Sequence, residues 1–390
     1  MKDNPHVLFI SSWYPSPTTS EGTFVELHLI ALQSRGCKCA IMLNGETTFG
    51  NYMRAGFEKA KLLNFRRRDD ITFIDNLTVH KRPLRYSKDP VAERKTNILK
   101  SSVRNFKTYV AFHGMPDFIF HHGIFDFTYI SSHLSKTFHI PIWYMENSPN
   151  IEEGFFPCAN PFETDESRNE FVRTVERRFA VTQAYVGKME RIFQVPFELV
   201  PNVITDDFFV SDPKPRMAKP FVFCNVAIMD SRKRQDLIIK AFAEAFKGDE
   251  NYRLVIAGDG KLKQSLTNLA AELGVAGQIE IPGYLNRDEV KNLLDRSNAF
   301  VLASRAETFG VVVIEAMARG IPAISSDIDG TREIINSKNG ILFREGSQAA
   351  LKDVLKNLAA NYDIYESKKI IEDVKSRFGP DAVMKGLFRE

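Results

Sequence analysis

An α/β protein with two doubly wound parallel sheets, each wrapped in helices, is the fold class the sequence predicts, and three observations carry it. The chain has 390 residues, more than one ordinary core accommodates and a natural length for two α/β domains of similar size. Near its start, an apolar run at 7–12, a loop with Gly22, an apolar stripe through Phe24, Leu27, Ile30 and Leu32, and a second run at 37–43 read as strand, loop, helix, strand. The same order returns in FVLASRAETFGVVVIEAMARGIPAISS, residues 300–326, which is closed by Gly320 and Pro322.

Composition bounds the class further. Hydrophobic residues make up 44% and charged residues 26%, as in globular proteins. No apolar run reaches bilayer-spanning length, and MKDNPHVLFISS passes straight into a strand pattern, so a cytoplasmic protein is expected. Cys37, Cys39, Cys158 and Cys224 follow neither metal-ligand nor disulfide spacing. A formal net charge of +3 makes no case for nucleic acid. Between residues 64 and 107, however, twelve Lys or Arg stand against five Asp or Glu, among Phe65, Leu84, Tyr86, Ile98 and Phe106. That segment reads either as a solvated helix face with a loop or as a surface for anionic lipid head groups.

Parallel sheets bind ligands at the carboxyl ends of their strands, which is where the turn at 304–310 falls. Glu307 lies in that turn and Glu315 one to two turns into the following helix. Phe309 and Gly310 sit at the helix start, whose free N–H groups and dipole suit an anionic or hydroxyl-rich ligand. Glu307-Thr-Phe-Gly followed by Glu315-Ala-Met-Ala-Arg-Gly, a Glu-x7-Glu interval, resembles the signature of the group 1, family 4 nucleotide-sugar glycosyltransferases. The resemblance implies a GT-B fold, two Rossmann-like domains with an interdomain cleft, and sugar transfer with retention. On the matching positions it implies that Glu315 accepts hydrogen bonds from the donor ribose, and that Glu307 with the Phe309 and Gly310 amides grips the sugar hydroxyls.

In the first half, Gly22 within SEGTFVELHLIALQSRG resembles the first-loop motif of that family, which implies backbone contact with a donor phosphate. The strand at 118–122 ends His121-His122-Gly123, and alternation turns the two rings to opposite faces. Relatives usually end this strand His-x-His-Gly; His122 matches the cleft-facing position, for which a catalytic role is implied. A strand at 140–144 precedes Glu146-Asn147-Ser148, where relatives commonly carry Glu-His-Ser. Asn147 hydrogen-bonds a hydroxyl but holds neither proton nor charge, so Glu146 and Asn147 are acceptor-side candidates. Residues 149–166 suggest an acceptor-side loop. Residues 170–193 read as helix with a strand at 179–182 inside. Pro201-Asn202-Val203 resembles the family hinge without its Gly, and Pro213, Pro215 and Pro220 make a stiff linker, with a boundary near residue 210.

In the second half, a strand at 221–229 leads through Asp230-Ser-Arg232-Lys233-Arg234 into a helix at 236–246. Relatives read Gly-Arg-Leu here and then Lys before the helix. Lys233 keeps the lysine while Ile228 fills the arginine slot, so the resemblance implies that Lys233 neutralises the donor diphosphate, with Arg232 or Arg234 restoring the lost charge. A strand at 254–257 closes in Gly258-Asp259-Gly260, followed by a helix at 263–273 and a strand at 279–281. Gly283, in Pro282-Gly283-Tyr284, occupies the turn that in relatives lies against the base. A helix at 288–296 follows. The loop at 327–331, with Gly330, resembles the one that faces the phosphates, and a helix is expected to begin at Arg332. Helices at 348–358 and 362–378 complete the pattern.

The expected organisation is thus residues 1–210, joined by a returning C-terminal helix at about 376–390, and a nucleotide-sugar domain at 211–375. The expected function is a retaining glycosyltransferase that moves a sugar from a nucleotide-diphosphate sugar to a saccharide or lipid-linked acceptor, in surface polysaccharide or glycolipid synthesis. No cofactor and no metal are expected, since no Asp-x-Asp cluster is placed to hold one. Partners are the donor, the acceptor and an anionic membrane touched peripherally at its inner face. Two rivals remain: another GT-B activity, such as a phosphorylase, epimerase or hydrolase, and a catalytically silent nucleotide-sugar-binding partner, to which Ile228 and Asn147 lend weight.

Overall fold

The structure is a computed structural model that describes residues 4–11, 22–43, 70–74, 77–81, 91–124, 127–148, 151, 163–213 and 219–389. Backbone contacts divide the chain into two compact units, Met1–Val181 with Val186–Val200, and Thr182–Tyr185 with Pro201–Glu390. The division falls ten residues before the expected boundary at 210.

The first unit is built from β1 (His6–Ser11), α1 (Thr23–Ser34), β2 (Lys38–Leu43), β3 (Asp70–Ile74), β4 (Leu77–Lys81), α2 (Val91–His113), β5 (Phe118–His122), α3 (Thr128–Phe138), β6 (Ile142–Glu146), α4 (Asp165–Thr174), β7 (Arg177–Ala180), α5 (Gln183–Phe193, shared at its start with the second unit) and β8 (Glu198–Leu199). Its sheet runs β3-β4-β2-β1-β5-β6-β7-β8, parallel except for the β3–β4 pair. Every residue of β1, β5 and β6 is buried, as a parallel sheet covered on both faces requires, and this explains why these strands read as largely apolar runs with polar residues confined to their ends. Strand order reverses at β1, whose Ser11 pairs with His122 of β5. The strand expected at 140–144 starts two residues later.

Helix α2 buries Ile98 and Phe106 and exposes Lys100, Arg104 and Lys107. Two of the apolar residues in the basic segment therefore serve the core, while Phe65, Leu84 and Tyr86 lie outside the described residues, as do the loop at 12–21, most of 149–162 and linker residues 214–218.

The second unit continues with β9 (Phe221–Val226), α6 (Gln235–Phe246), β10 (Tyr252–Ala257), α7 (Lys263–Glu272), β11 (Ile279–Gly283), α8 (Arg287–Asp295), β12 (Ala299–Leu302), α9 (Val311–Ala318), β13 (Ala323–Ser326), α10 (Asp329–Arg332), β14 (Gly340–Phe343), α11 (Gln348–Ala360), α12 (Ser367–Phe378) and α13 (Pro380–Phe388). The sheet is parallel throughout, in the order β11-β10-β9-β12-β13-β14. Its order reverses between β9 and β12, which pair through Phe223–Ala299 and Cys224–Phe300. That reversal opens a crevice beyond the carboxyl ends of the two strands.

Three expectations change here. β14 was not anticipated; it pairs with β13. The stretch expected to be a loop into a helix at Arg332 is instead the one-turn helix α10. The helix expected at 362–378 splits into a 3₁₀ turn at Tyr362–Ile364 and α12. The last helix, α13, opens with Pro380 in its first turn, where a missing N–H costs nothing. It packs on α12 within the second unit. No helix among the described residues is long and apolar enough to cross a membrane.

Candidate functional site

In the second unit the loop after β9 is shaped from behind. A Cβ on Gly258 would stand 1.9 Å from the Ala227 carbonyl oxygen, at a φ of +130° that L side chains rarely adopt. The Gly258-Asp259-Gly260 turn thus lies directly against residues 227–229, tied by Met229 N–H donating to the Asp259 carbonyl at 2.8 Å. Gly283 closes the same corner, its carbonyl accepting from the Gly258 N–H at 2.7 Å. In front, the Asp230 carboxylate accepts from the Arg232 amide at 2.9 Å, the Lys233 amide at 3.2 Å and the Arg232 guanidinium at 2.9 Å. Burial alone would raise the Asp230 carboxyl, but these donors outweigh it and hold the pKa below the usual range. Arg234 pairs with Asp236 on its own helix at 3.0 Å. Ile228, in the slot where a cation was expected, is exposed.

With its neighbours so held, Lys233 reaches across the β9/β12 reversal and donates to Glu307. Glu307 also accepts from the Ser304 hydroxyl at 2.7 Å, and the two loops are joined by the Arg305 N–H donating to the Arg232 carbonyl at 2.9 Å. The Lys233 and Glu307 side chains are 19% and 14% exposed. An ion pair so placed feels a lower dielectric than one on the open surface, yet both ends remain within reach of a ligand.

Behind Glu307 stands Gly330, where a Cβ would lie 2.2 Å from the Glu307 carbonyl oxygen. The Phe309 ring is buried edge-on against Phe378 at 5.3 Å, so its side chain is an anchor and only its backbone faces the turn. Gly310 caps α9 at φ 79°; the Val313 amide donates back to its carbonyl at 2.9 Å, while the amides of Val311 and Val312 precede the first intrahelical acceptor. A carboxylate, a cation and a helix N-terminus therefore converge on the carboxyl side of β9 and β12, an arrangement suited to a ligand with both hydroxyls and negative charge.

Glu315, on α9, is 8% exposed. Burial pushes its carboxyl up to about 7 against the pull of Arg287; Asp207 adds to the push and Lys291 opposes it. Its nearest cation is Arg287 of α8, Nη1 to Oε1 3.8 Å, beyond hydrogen-bond length. The carboxylate oxygens are thus charge-compensated rather than consumed.

In the first unit, Gly22 caps α1 at φ 86°. His121 and His122 face opposite sides of the sheet. His121 bonds Ser131 Oγ and the Gly123 carbonyl, both at 2.8 Å, and burial pushes its pKa down to about 4. His122 lies beneath α1 among Phe9, Phe24, His28 and Phe120, 1% exposed, with no hydrogen-bond partner at either ring nitrogen among the described residues. Burial holds it neutral. Glu146, fully buried, accepts from the Tyr144 hydroxyl and from the amides of Asn147 at 2.9 Å and Ser148 at 2.7 Å. Burial pushes its carboxyl up to about 7 against those bonds and one from the Ile124 amide. Its visible work is to hold the turn that carries Asn147, itself almost wholly buried.

Of the residues expected from sequence, Lys233, Glu307, Gly310, Gly330 and the backbone of Arg232 and Phe309 are drawn together in the second unit, with Glu315 on the helix they open. Sequence reasoning missed Arg287, Asp207 and Ser304. Asn286 and Glu289 form a capping box that was readable in the sequence and puts Arg287 at the first position of α8. Nothing local signals Asp207.

Residues 208–377 match the family model for glycosyl transferases group 1. An uncharacterised glycosyltransferase of Methanocaldococcus jannaschii is 40% identical over 92 residues, 23% of this chain and 24% of the relative. The alpha-D-kanosaminyltransferase of Streptomyces kanamyceticus is 24% identical over 209 residues, 50% of this chain and 54% of the relative. The chain thus spans between a quarter and about half the length of these two curated relatives. Among solved structures, HepE of Anabaena, in complex with UDP and glucose, superposes with a TM-score of 0.70 at 14% identity, covering 99% of each chain. Residues 208–377 accordingly belong to the glycosyl transferases group 1 family, and the chain carries the GT-B fold.

Proposed function

We propose that the protein transfers a sugar from a nucleotide-diphosphate sugar to a hydroxyl acceptor, with the donor held at the carboxyl ends of β9 and β12. The observation that carries this reading is the Lys233–Glu307 pair at the strand-order reversal, beside the N-terminus of α9. In this reading Glu315 accepts from the two ribose hydroxyls and Glu307 from the sugar hydroxyls. Lys233, Arg232 and the loop amides around Gly310 and Gly330 stabilise negative charge on the departing diphosphate, which is where charge develops as the glycosidic bond breaks. Gly283 borders the base and Gly22 the phosphate. His122, neutral and without a partner at either ring nitrogen among the described residues, serves as a hydrogen-bonding group for a sugar hydroxyl. Asn147 takes a polar acceptor contact on the turn that Glu146 supports.

The finer reading is transfer with retention, the acceptor attacking from the face the diphosphate leaves, without a metal, onto a saccharide or lipid-linked acceptor in surface polysaccharide or glycolipid synthesis. Names of similar proteins support the sugar transfer and the nucleotide donor within it: one is an alpha-D-kanosaminyltransferase and another was solved with UDP and glucose. A peripheral seat on the inner membrane face goes with a lipid-linked acceptor. A second reading, a silent nucleotide-sugar-binding partner, draws on the exposed Ile228 in the cation slot.

Release of nucleoside diphosphate from UDP-, GDP- and ADP-sugars, with and without an acceptor extract, is the test. Acceptor-dependent release is expected. Donor binding without release would favour the silent partner, and equal release without acceptor would mean a hydrolase. The anomeric configuration of the product, read by NMR, decides retention.

A further inference from the structure

Thr205, Asp207 and Phe208 bracket a short 3₁₀ turn that precedes β9, and Arg287 opens α8 some eighty residues later. The Arg287 guanidinium is fixed on three sides. Nη2 donates to Thr205 Oγ1 at 2.8 Å and lies 3.6 Å from Asp207 Oδ1, while its central carbon sits 4.6 Å from the centroid of the buried Phe208 ring. Asp207 is itself held by Lys291 at 2.6 Å. A planar cation stacked on one ring and bonded through one nitrogen has little freedom left. Its other terminal nitrogen, Nη1, lies 3.8 Å from Glu315 Oε1.

We propose that Arg287, clamped by Thr205, Asp207 and Phe208, is a positioning residue that aims the Glu315 carboxylate at the ribose of the donor. The inference rests on the reading of Glu315 as the ribose acceptor. A diol donates two hydrogen bonds, so it needs a carboxylate with both oxygens available. Arg287 stabilises that form from beyond bonding distance and leaves the oxygens open. The charged groups facing Glu315 are Arg287 and Lys291 from α8 and Asp207 from the 3₁₀ turn. Arg287 and Lys291 favour the ionised carboxylate, and burial and Asp207 oppose it. Removing Arg287 must therefore raise the pH at which Glu315 ionises. A lysine at 287 keeps the charge but loses the planar stack.

The experiment is calorimetric titration of the full-length protein with UDP, GDP and ADP in turn, followed by the tightest of them across pH 5.5 to 9. For the wild type, affinity is expected to rise through a pH near that at which Glu315 ionises. For Arg287→Met the inflection should move up by about one pH unit, with affinity about fivefold weaker at pH 7 and less than about twofold weaker at pH 9. Arg287→Lys should restore the inflection. Thr205→Val, which removes one side of the clamp and is the milder change, should weaken binding about twofold at pH 7. An Arg287→Met protein with unchanged affinity and inflection overturns the proposal; if that variant fails to fold, unchanged binding by Thr205→Val does so. Glu315→Gln separates the two levels. If it binds as tightly as wild type, the ribose assignment itself falls. If it loses both affinity and inflection while Arg287→Met matches wild type, only the role of Arg287 falls.

Discussion

Glu146 in the first unit and Glu315 in the second are both buried, and burial pushes each carboxyl up to about 7. Their surroundings differ in kind. Glu146 is filled by hydrogen-bond donors, a tyrosine hydroxyl and backbone amides of its own turn. Glu315 is balanced by charges at a distance, the nearest cation 3.8 Å away. A raised pKa therefore does not by itself mark a ligand site. What separates a carboxylate that builds the fold from one poised for a ligand is whether its lone pairs are already spent.

The sharpest break between the units should come from Lys233, whose partner Glu307 is partly open where Glu146 is closed. Lys233→Met is expected to lower kcat by roughly 10²–10³, the scale of losing one preorganised charge at the reacting centre. Single-turnover assays with the identified donor check this, and normal turnover would move the phosphate site elsewhere. Next in size is Glu146→Ala, which removes the buried carboxylate to which a tyrosine hydroxyl and two amides donate. It should destabilise the protein by about 2–4 kcal/mol, read by urea unfolding, while nucleotide affinity stays within about twofold.

Stability against pH sharpens the contrast further. A carboxyl whose pKa is raised on folding contributes stability that is full below its unfolded value of 4.5 and is lost as pH rises through about 7. Glu315→Gln should remove on the order of 2 kcal/mol of that loss between pH 4.5 and 8. His121, pushed down to about 4, acts in the opposite sense: its contribution is present above 6.5 and lost as pH falls. Denaturation midpoints across pH test both slopes, and an unaltered slope in Glu315→Gln would mean that the carboxylate is better solvated than its burial implies. The smallest effect is expected from Arg232→Ala. Its guanidinium is already paired with Asp230 and about half exposed, so kcat should fall less than about threefold, which a steady-state comparison with Lys233→Met resolves.

The parallel strands were legible because strands buried on both faces are mainly apolar, and the Glu307–Glu315 spacing was legible because one loop and one helix carry both residues. β14 escaped because its four residues, Gly340–Phe343, begin with a glycine and only two of them are fully buried. The Tyr362–Phe378 stretch read as continuous because apolar spacing passes through a 3₁₀ turn without a mark. Arg287 and Asp207 escaped for a different reason: they meet across separate elements, and no local pattern records a meeting made by the fold. Glu146 was read as an acceptor-side candidate, and nothing in the sequence marked that Tyr144, two residues before it on the same strand, donates to its carboxylate.

The two braced loops carry a practical corollary. Backbone carbonyls at Ala227 and Glu307 occupy the space that side chains at Gly258 and Gly330 would need, so at these two points the rim near Lys233 is set by close main-chain packing. On the proposed reading, donor preference is then best varied through the side chains at Arg305 and Ala306, with both glycines left untouched.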